Sequence, residues 1–381
     1  MTALTIDRLD VIPIRVPNRV PITLATIRLE HQDNVIVRLR AGALEGLGET
    51  QPLAGFQGCT ETQATIVPLI RERLAPLVVG QDAFQVERLV RDMVEAAPRS
   101  PYGRAAVVDA LYDLIARAYD VPLYQLLGGL YRDRIPVVWT IGIKERAEMA
   151  EEARWAVGRG FRLLKVKVGA GPGDAQNVAA VREAVGPNVG LRIDANGALT
   201  FDQALALLRD LSACKLELVE QPLDIADLGG MARLIEMGGV PVMPDESLHS
   251  LESALALVTR RAASIFGMKL AKHGGIYHGQ RIAAIAQAAS IPIYPGGQPA
   301  TSIGSATAAH FYAATWNATL GGDFHVGPAG WLVGDVVKAP LVVKDGHAVV
   351  PKGPGIGMEL DEARLARYVV RPEETACAPS T

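Results

Sequence analysis

Cysteine is scarce in this 381-residue chain: Cys59, Cys214 and Cys377 are the only three, with no C-x-x-C spacing. An odd count without that spacing argues against a disulfide framework and points to a reducing cytoplasm. No charge of one sign dominates. Lys and Arg total 38 against 41 Asp and Glu, a formal net charge of −3 with the signs interspersed. A basic stripe for nucleic acid and a polybasic amphipathic stretch for a membrane surface are both missing. No apolar run approaches the roughly 20 residues a bilayer-spanning helix needs. Asp7, Arg8 and Asp10 interrupt any signal-peptide apolar region. What remains is ordinary globular material, 49% hydrophobic and 21% charged. The length suffices for two domains or for one barrel with an extra layer.

The rhythm of the chain changes once. Residues near 3–16 and 34–49 alternate apolar and polar positions, with Ala41-Gly42 and Glu45-Gly46 as turn signals, and predict an antiparallel meander. A proline-containing loop is expected near 17–30 and a second loop at 51–59. Helical spacing follows near 60–77, 83–97 and 102–118. From Ile135 the pattern becomes strand, helix, strand, helix. The predicted strands are 135–140, 163–169, 190–196, 216–221, 240–246, 263–270, 291–295 and 319–324. Eight strands alternating with Ala- and Leu-rich helices imply an α/β fold, a closed parallel (β/α)₈ barrel. An open doubly wound sheet would need a Gly-rich phosphate turn after its first strand; Gly169-Ala170-Gly171 is misplaced and lacks the spacing. Asp345-Gly346 between two short apolar runs predicts a closing hairpin. The expected domains are an α+β capping domain over 1–127, the barrel over 128–346, and a segment, 347–381, returning to the cap.

Five predicted strand ends carry chemistry: Lys165-Val166-Lys167, Asp194-Ala195-Asn196, Glu220-Gln221-Pro222, Asp245-Glu246-Ser247 and Lys269 through Lys272. In a (β/α)₈ barrel the carboxyl ends of the strands build the active site. Asp194, Glu220 and Asp245 are 26 and 25 residues apart, one on each of three successive strands. Hard oxygen ligands with no Cys or His among them favour Mg²⁺ or Mn²⁺ over zinc. Their mutual repulsion calls for a cation. Lys165 and Lys167, two apart on a strand, point to one face, here the barrel interior. Lys269 closes strand six, which lies opposite strand two in a ring of eight. A substrate held between would have a lysine on either side. Removing a proton α to a carboxylate needs stabilisation of the developing dianion, which a divalent cation supplies. It also needs a base with a lowered pKa, which a lysine beside a metal and a second lysine can become.

These sets together resemble those of the muconate-lactonizing group of the enolase superfamily, and the similarity spans nearly the whole chain. That resemblance implies metal binding by Asp194, Glu220 and Asp245. It makes Lys167 the main acid/base, assisted by Lys165 and faced by Lys269. It also implies a small-molecule carboxylate substrate and assembly into a homo-oligomer, possible as an octamer, with neither nucleic acid nor membrane as partner. The chain departs from the group at Gly321-Gly322-Asp323, where muconate cycloisomerases carry Gly-Thr-Glu, and again at 296–302. Asp323 is a further catalytic candidate, able to bond substrate or Lys269. Asn196, Arg28, Phe56 and Gln298 are candidate substrate contacts. His273, His310 and His325 are not needed as ligands, and Trp139 and Tyr294 read as core or pocket wall. Cycloisomerisation of cis,cis-muconate or a relative leads. A racemase or epimerase of an N-acyl amino acid, dipeptide or betaine, a dehydratase of a hydroxy acid, and a barrel that only binds a solute or metal are the alternatives.

Overall fold

The computed structural model describes residues 3–23, 27–53, 55, 58–169, 171–324 and 330–371. The chain opens with an antiparallel meander of β1 (Arg8–Thr23), β2 (Arg28–Ala41) and β3 (Leu44–Thr50). Its two faces feed different cores. Val35, Val37 and Leu39 pack with the helices that follow, whereas Ile14, Val16 and Ile36 join the larger core of the barrel. The loop expected at 17–30 is a correction: β1 runs to Thr23 and β2 starts at Arg28. Pro17 and Pro21 are tolerated because β1 is the edge of this sheet and its register shifts between Pro17 and Ile22.

Next come α1 (Gln63–Leu69), a π-helical turn over Ile70–Leu74, α2 (Ala75–Val78), α3 (Val86–Ala96) and α4 (Pro101–Ala118). A Thr62/Thr65 capping box starts α1. α4 is buried along most of its length, Ala105 through Leu111 included. It lies so close to β3 that a Cβ on Gly48 would sit 2.0 Å from the Ala106 carbonyl oxygen. Only glycine allows that approach.

A short α5 (Leu123–Leu126) leads to β4 (Arg134–Pro136) and then to β5 (Val138–Ile141), the first barrel strand. The strand expected at 135–140 is thus divided. Val137 N–H donates to Gly346 and Val138 N–H to Gly322, so the chain changes partners there. The barrel continues as α6 (Arg146–Gly158), β6 (Leu163–Lys167), α7 (Asp174–Val185), β7 (Gly190–Asp194), α8 (Phe201–Asp210) and β8 (Leu218–Glu220). There follow α9 (Leu228–Met237), β9 (Val242–Met243), α10 (Leu251–Thr259), β10 (Phe266–Met268), α11 (Leu270–His273), α12 (Ile276–Ala288), β11 (Ile293–Pro295) and α13 (Ser302–Ala314). Strands β5 to β9 pair in parallel in chain order, as do β10 and β11. Ser264 N–H to Val242 and Gly267 N–H to Pro244 join the two groups. Residues 322–323 close the ring, with Asp323 N–H on Pro295 and a parallel bridge from Gly322 to Val137. The strands are shorter than expected. Asn196 (φ 46°) and Gln221 (φ 31°) turn the chain out of the sheet just past Asp194 and Glu220.

The predicted hairpin is β12 (Val343–Lys344) and β13 (His347–Val349), with positive φ at both Asp345 and Gly346, and β13 pairs with β4. After α14 (Glu362–Leu365) the chain returns to β1. Val370 N–H donates to Pro13, Arg15 N–H donates to Tyr368, and Val369 bridges Ile14. Among the described residues no helix is long and apolar enough to cross a membrane.

Candidate active site

The sheet register sets Lys167, Asp194 and Glu220 side by side on β6, β7 and β8 at one height. Met243 is the next partner in that row, so Asp245, two residues on, lies one step further along the fifth strand. All four are buried, as are Lys165 and Asp323. Lys165 Nζ donates to Glu220 Oε2 (2.8 Å) and Asp323 Oδ2 (2.7 Å) and lies 3.8 Å from Asp194 Oδ2. Lys167 Nζ donates to Asp194 Oδ2 at 2.5 Å and to Asn196 Oδ1 at 3.0 Å. Lys269 and Lys272 both donate to the carboxylate of Asp245. The Tyr294 hydroxyl donates to Asp323 Oδ1 (2.9 Å), so Tyr294, read as core or wall, is also a polar anchor.

These pairings set the ionisation of the cluster. Burial alone would depress the Lys165 ammonium, but the fields of Asp323 and Glu220 outweigh it and hold its pKa well above the ordinary value. Glu220 is pushed far up by burial, then by Asp194, despite Lys165. Burial works against the Asp245 carboxylate as well, yet Lys269 and Lys272 hold its pKa below the usual range. Lys269 is raised against its own burial by Asp245. Lys272 is lowered, by burial first. Glu246 rises to about 7 through burial and its neighbours Asp245 and Asp194.

The donor set suits a hard divalent cation: buried carboxylate oxygens on successive strands whose mutual repulsion keeps Glu220 reluctant to ionise. The sequence leads one to expect three carboxylates converging on one point. As they stand, no three His, Cys, Asp or Glu side chains among the described residues are grouped as metal ligands. The reason is visible: Asp194, Glu220 and Asp245 are each turned onto an ammonium group. The residues fit a cation by chemistry.

The motif residues between the charges have structural work. Gln221 Oε1 accepts from the N–H groups of Asp245 (3.0 Å) and Ser247 (3.1 Å), and its Nε2 donates to Ser247 Oγ (2.8 Å). That side chain therefore ties the fourth strand end to the fifth. Gln298 lines a small cavity with Lys269, Asp323 and Phe324, into which the cap contributes Glu49 and Gln51. Arg28 lies elsewhere. It is exposed and lines a separate cavity of about 660 Å³ with Trp139, Gly142, Trp155 and Phe161. Phe56 and His325 lie outside the described residues. His273 is buried and bonded to the Leu248 carbonyl, and His310 stacks on Tyr124. Lys272 and Glu246 stand in the quoted motifs without a role assigned from sequence. Their signal was proximity to Lys269 and Asp245, which pattern alone does not convert into contact.

A capped (β/α)₈ barrel with lysines on the second and sixth strands flanking acids on the third to fifth defines an enolase-type class of metal-dependent enzymes. Residues 8–128 match the mandelate racemase/muconate lactonizing enzyme N-terminal domain, and residues 148–364 match the enolase C-terminal domain-like family. The chain belongs to the mandelate racemase/muconate lactonizing enzyme family of the enolase superfamily, in its muconate-lactonizing subgroup. It is 34% identical to a chloromuconate cycloisomerase of Pseudomonas sp. (strain P51) over 95% of this chain and 98% of that one. Its fold matches muconate lactonizing enzyme from Pseudomonas fluorescens complexed with muconolactone, with a TM-score of 0.93, 33% identity, and 97% and 100% coverage. It also matches the L-Ala-D/L-Glu epimerase of Bacillus subtilis, with a TM-score of 0.88, 31% identity, and 93% and 98% coverage.

Proposed function

We propose that this protein is a muconate cycloisomerase, an isomerase that converts cis,cis-muconate or a substituted muconate to a muconolactone. The observation that carries the reading is the row Lys167, Asp194, Glu220 at one height of the barrel, with Lys269 on the strand opposite. Full-length similarity to muconate and chloromuconate cycloisomerases supports the choice of substrate. In this reading the barrel is 128–346, and the cap is 1–127 completed by the returning segment 347–381.

Asp194, Glu220 and Asp245 would hold Mg²⁺ or Mn²⁺, which when bound stabilises negative charge on a substrate carboxylate. One carboxylate oxygen of muconate adds to the diene and closes the lactone ring. Electron density moves toward the carbon α to the other carboxylate. Lys167, as an ammonium, delivers a proton to that carbon, and in the reverse direction the free amine removes it. Atoms and charge are conserved, as an isomerisation requires. Lys165, pinned between Glu220 and Asp323, acts as a fixed positive neighbour of Lys167 on the same strand.

The test is direct. Protein loaded with Mn²⁺ should bleach the ultraviolet absorbance of cis,cis-muconate, and product formed in D₂O should carry one deuterium at the α-carbon. Unchanged absorbance across a panel of muconates refutes the assignment. The placement of lysines on both sides of the cavity also favours a second reading, a 1,1-proton transfer as in an epimerase. Its signature is loss of optical activity in a dipeptide or N-acyl amino acid with solvent deuterium entering the α-position.

A further inference from the structure

We propose that Glu246 is a positioning residue that acts on Lys167 through Asn196, an inference that rests on the role assigned to Lys167 above. Asn196 sits two residues past Asp194 in the left-handed region, φ 46°, and its N–H donates to Asp194 Oδ1 (2.9 Å). That turn folds its side chain back over the strand ends, where it is 1% exposed. The amide is used on both sides. Its oxygen accepts from Lys167 Nζ at 3.0 Å, and its nitrogen donates to Glu246 Oε1 at 3.2 Å. An amide rotated by a half turn would present its NH₂ to the Lys167 ammonium, donor against donor. Glu246 Oε1 supplies the acceptor that takes up the amide nitrogen, which leaves the amide oxygen turned toward Lys167.

Two further observations set this pair apart from ordinary packing. Glu246 is 3% exposed, yet its Oε2 has no hydrogen-bond partner among the described residues. A half-satisfied buried carboxylate is a destabilising choice compared with an apolar side chain, which marks Glu246 as more than filler. Lys167 has one other polar partner in the cluster, Asp194. The neutral amide oxygen fixes the position of Nζ without adding another negative charge beside it. For a lysine that must alternate between acid and base, the amide is the better guide. Its aim is set from behind by Glu246.

A double-mutant cycle tests the chain of contacts. Glu246→Leu, which removes the acceptor, is expected to lower kcat about tenfold, the size of one hydrogen bond, with the melting temperature not lowered and KM and Mn²⁺ affinity by calorimetry unchanged within about twofold. In the Asn196→Ala background the same change should have almost no further effect, because the link it acts through is gone. Equal losses in both backgrounds, or weakened Mn²⁺ binding from Glu246→Leu alone, would overturn the proposal. Crystal structures of the wild type and Glu246→Leu supply a readout independent of substrate. Lys167 Nζ should leave Asn196 in the variant; an unchanged contact overturns the inference, even where the wild type proves inert toward muconates and the functional reading itself falls.

Discussion

Replacing Asp109 by asparagine should make the protein more stable at pH 8 than the wild type, and the gain should vanish toward acid. Asp109 projects from α4 of the cap and is 3% exposed. Its Oδ1 accepts from Ile276 N–H (2.8 Å) at the first residue of barrel helix α12. Burial drives its carboxyl from an ordinary 3.8 up to about 7, and that single backbone bond opposes the rise only in part. Between about pH 4 and pH 7 the folded state therefore keeps a proton that the unfolded chain has released. The folded state binds more protons, so stability falls as pH rises through this window. At 1.36 kcal/mol per unit, the penalty grows by roughly 3 kcal/mol between pH 5 and pH 8. Asparagine keeps the oxygen acceptor and cannot ionise. Urea unfolding of the two proteins at half-unit steps from pH 5 to pH 8 should give curves that diverge by about that amount. Parallel curves would refute the reasoning, because they would mean that Asp109 ionises in the fold as freely as in the unfolded chain.

Lys167→Ala should abolish turnover and deuterium incorporation while leaving Mn²⁺ binding in place; residual turnover within about tenfold of wild type would remove Lys167 from the chemistry. Asp323→Asn keeps an acceptor for Tyr294 but takes one anion from Lys165, so steady-state kinetics should show kcat falling with KM nearly constant. A rise in KM alone would instead assign Asp323 to substrate binding. Gly48→Ala should destabilise the protein by at least about 3 kcal/mol in a thermal melt, since the added methyl meets the α4 backbone at Ala106 rather than a side chain that can move.

Much of the fold class was legible because a parallel barrel writes itself as a repeat. Each turn of the β/α unit contributes one apolar run and one polar strand end, and these recur on a period that loops elsewhere do not share. Locating Pro17 and Pro21 was harder, since a proline reads as a loop until one knows that its strand is the edge of its sheet and shifts register there. The division at Val137 was equally hidden, because it depends on Gly346 and Gly322, which approach that position only in three dimensions. Within the site, residue type revealed which side chains carry charge but not their partners. Asp323 was weighed as a partner for Lys269, and the structure pairs it with Lys165 and Tyr294. Arg28, a candidate substrate contact, lines a cavity with Trp139, Gly142 and Lys144 and does not line the one that holds Gln298 and Lys269. Glu246 follows a metal-type aspartate in sequence, and only the left-handed turn at Asn196 brings its carboxylate to bear on Lys167.

The return of residues 368–370 to β1 has a consequence for how the protein is made. The outer edge of the amino-terminal sheet is sealed by residues that leave the ribosome long after it, through Ile14, Arg15 and Pro13. Throughout synthesis that strand offers unpaired backbone groups to any passing chain. Truncation before Tyr368 should therefore show itself less as a loss of catalysis than as aggregation during expression, relieved when the missing peptide is supplied in trans.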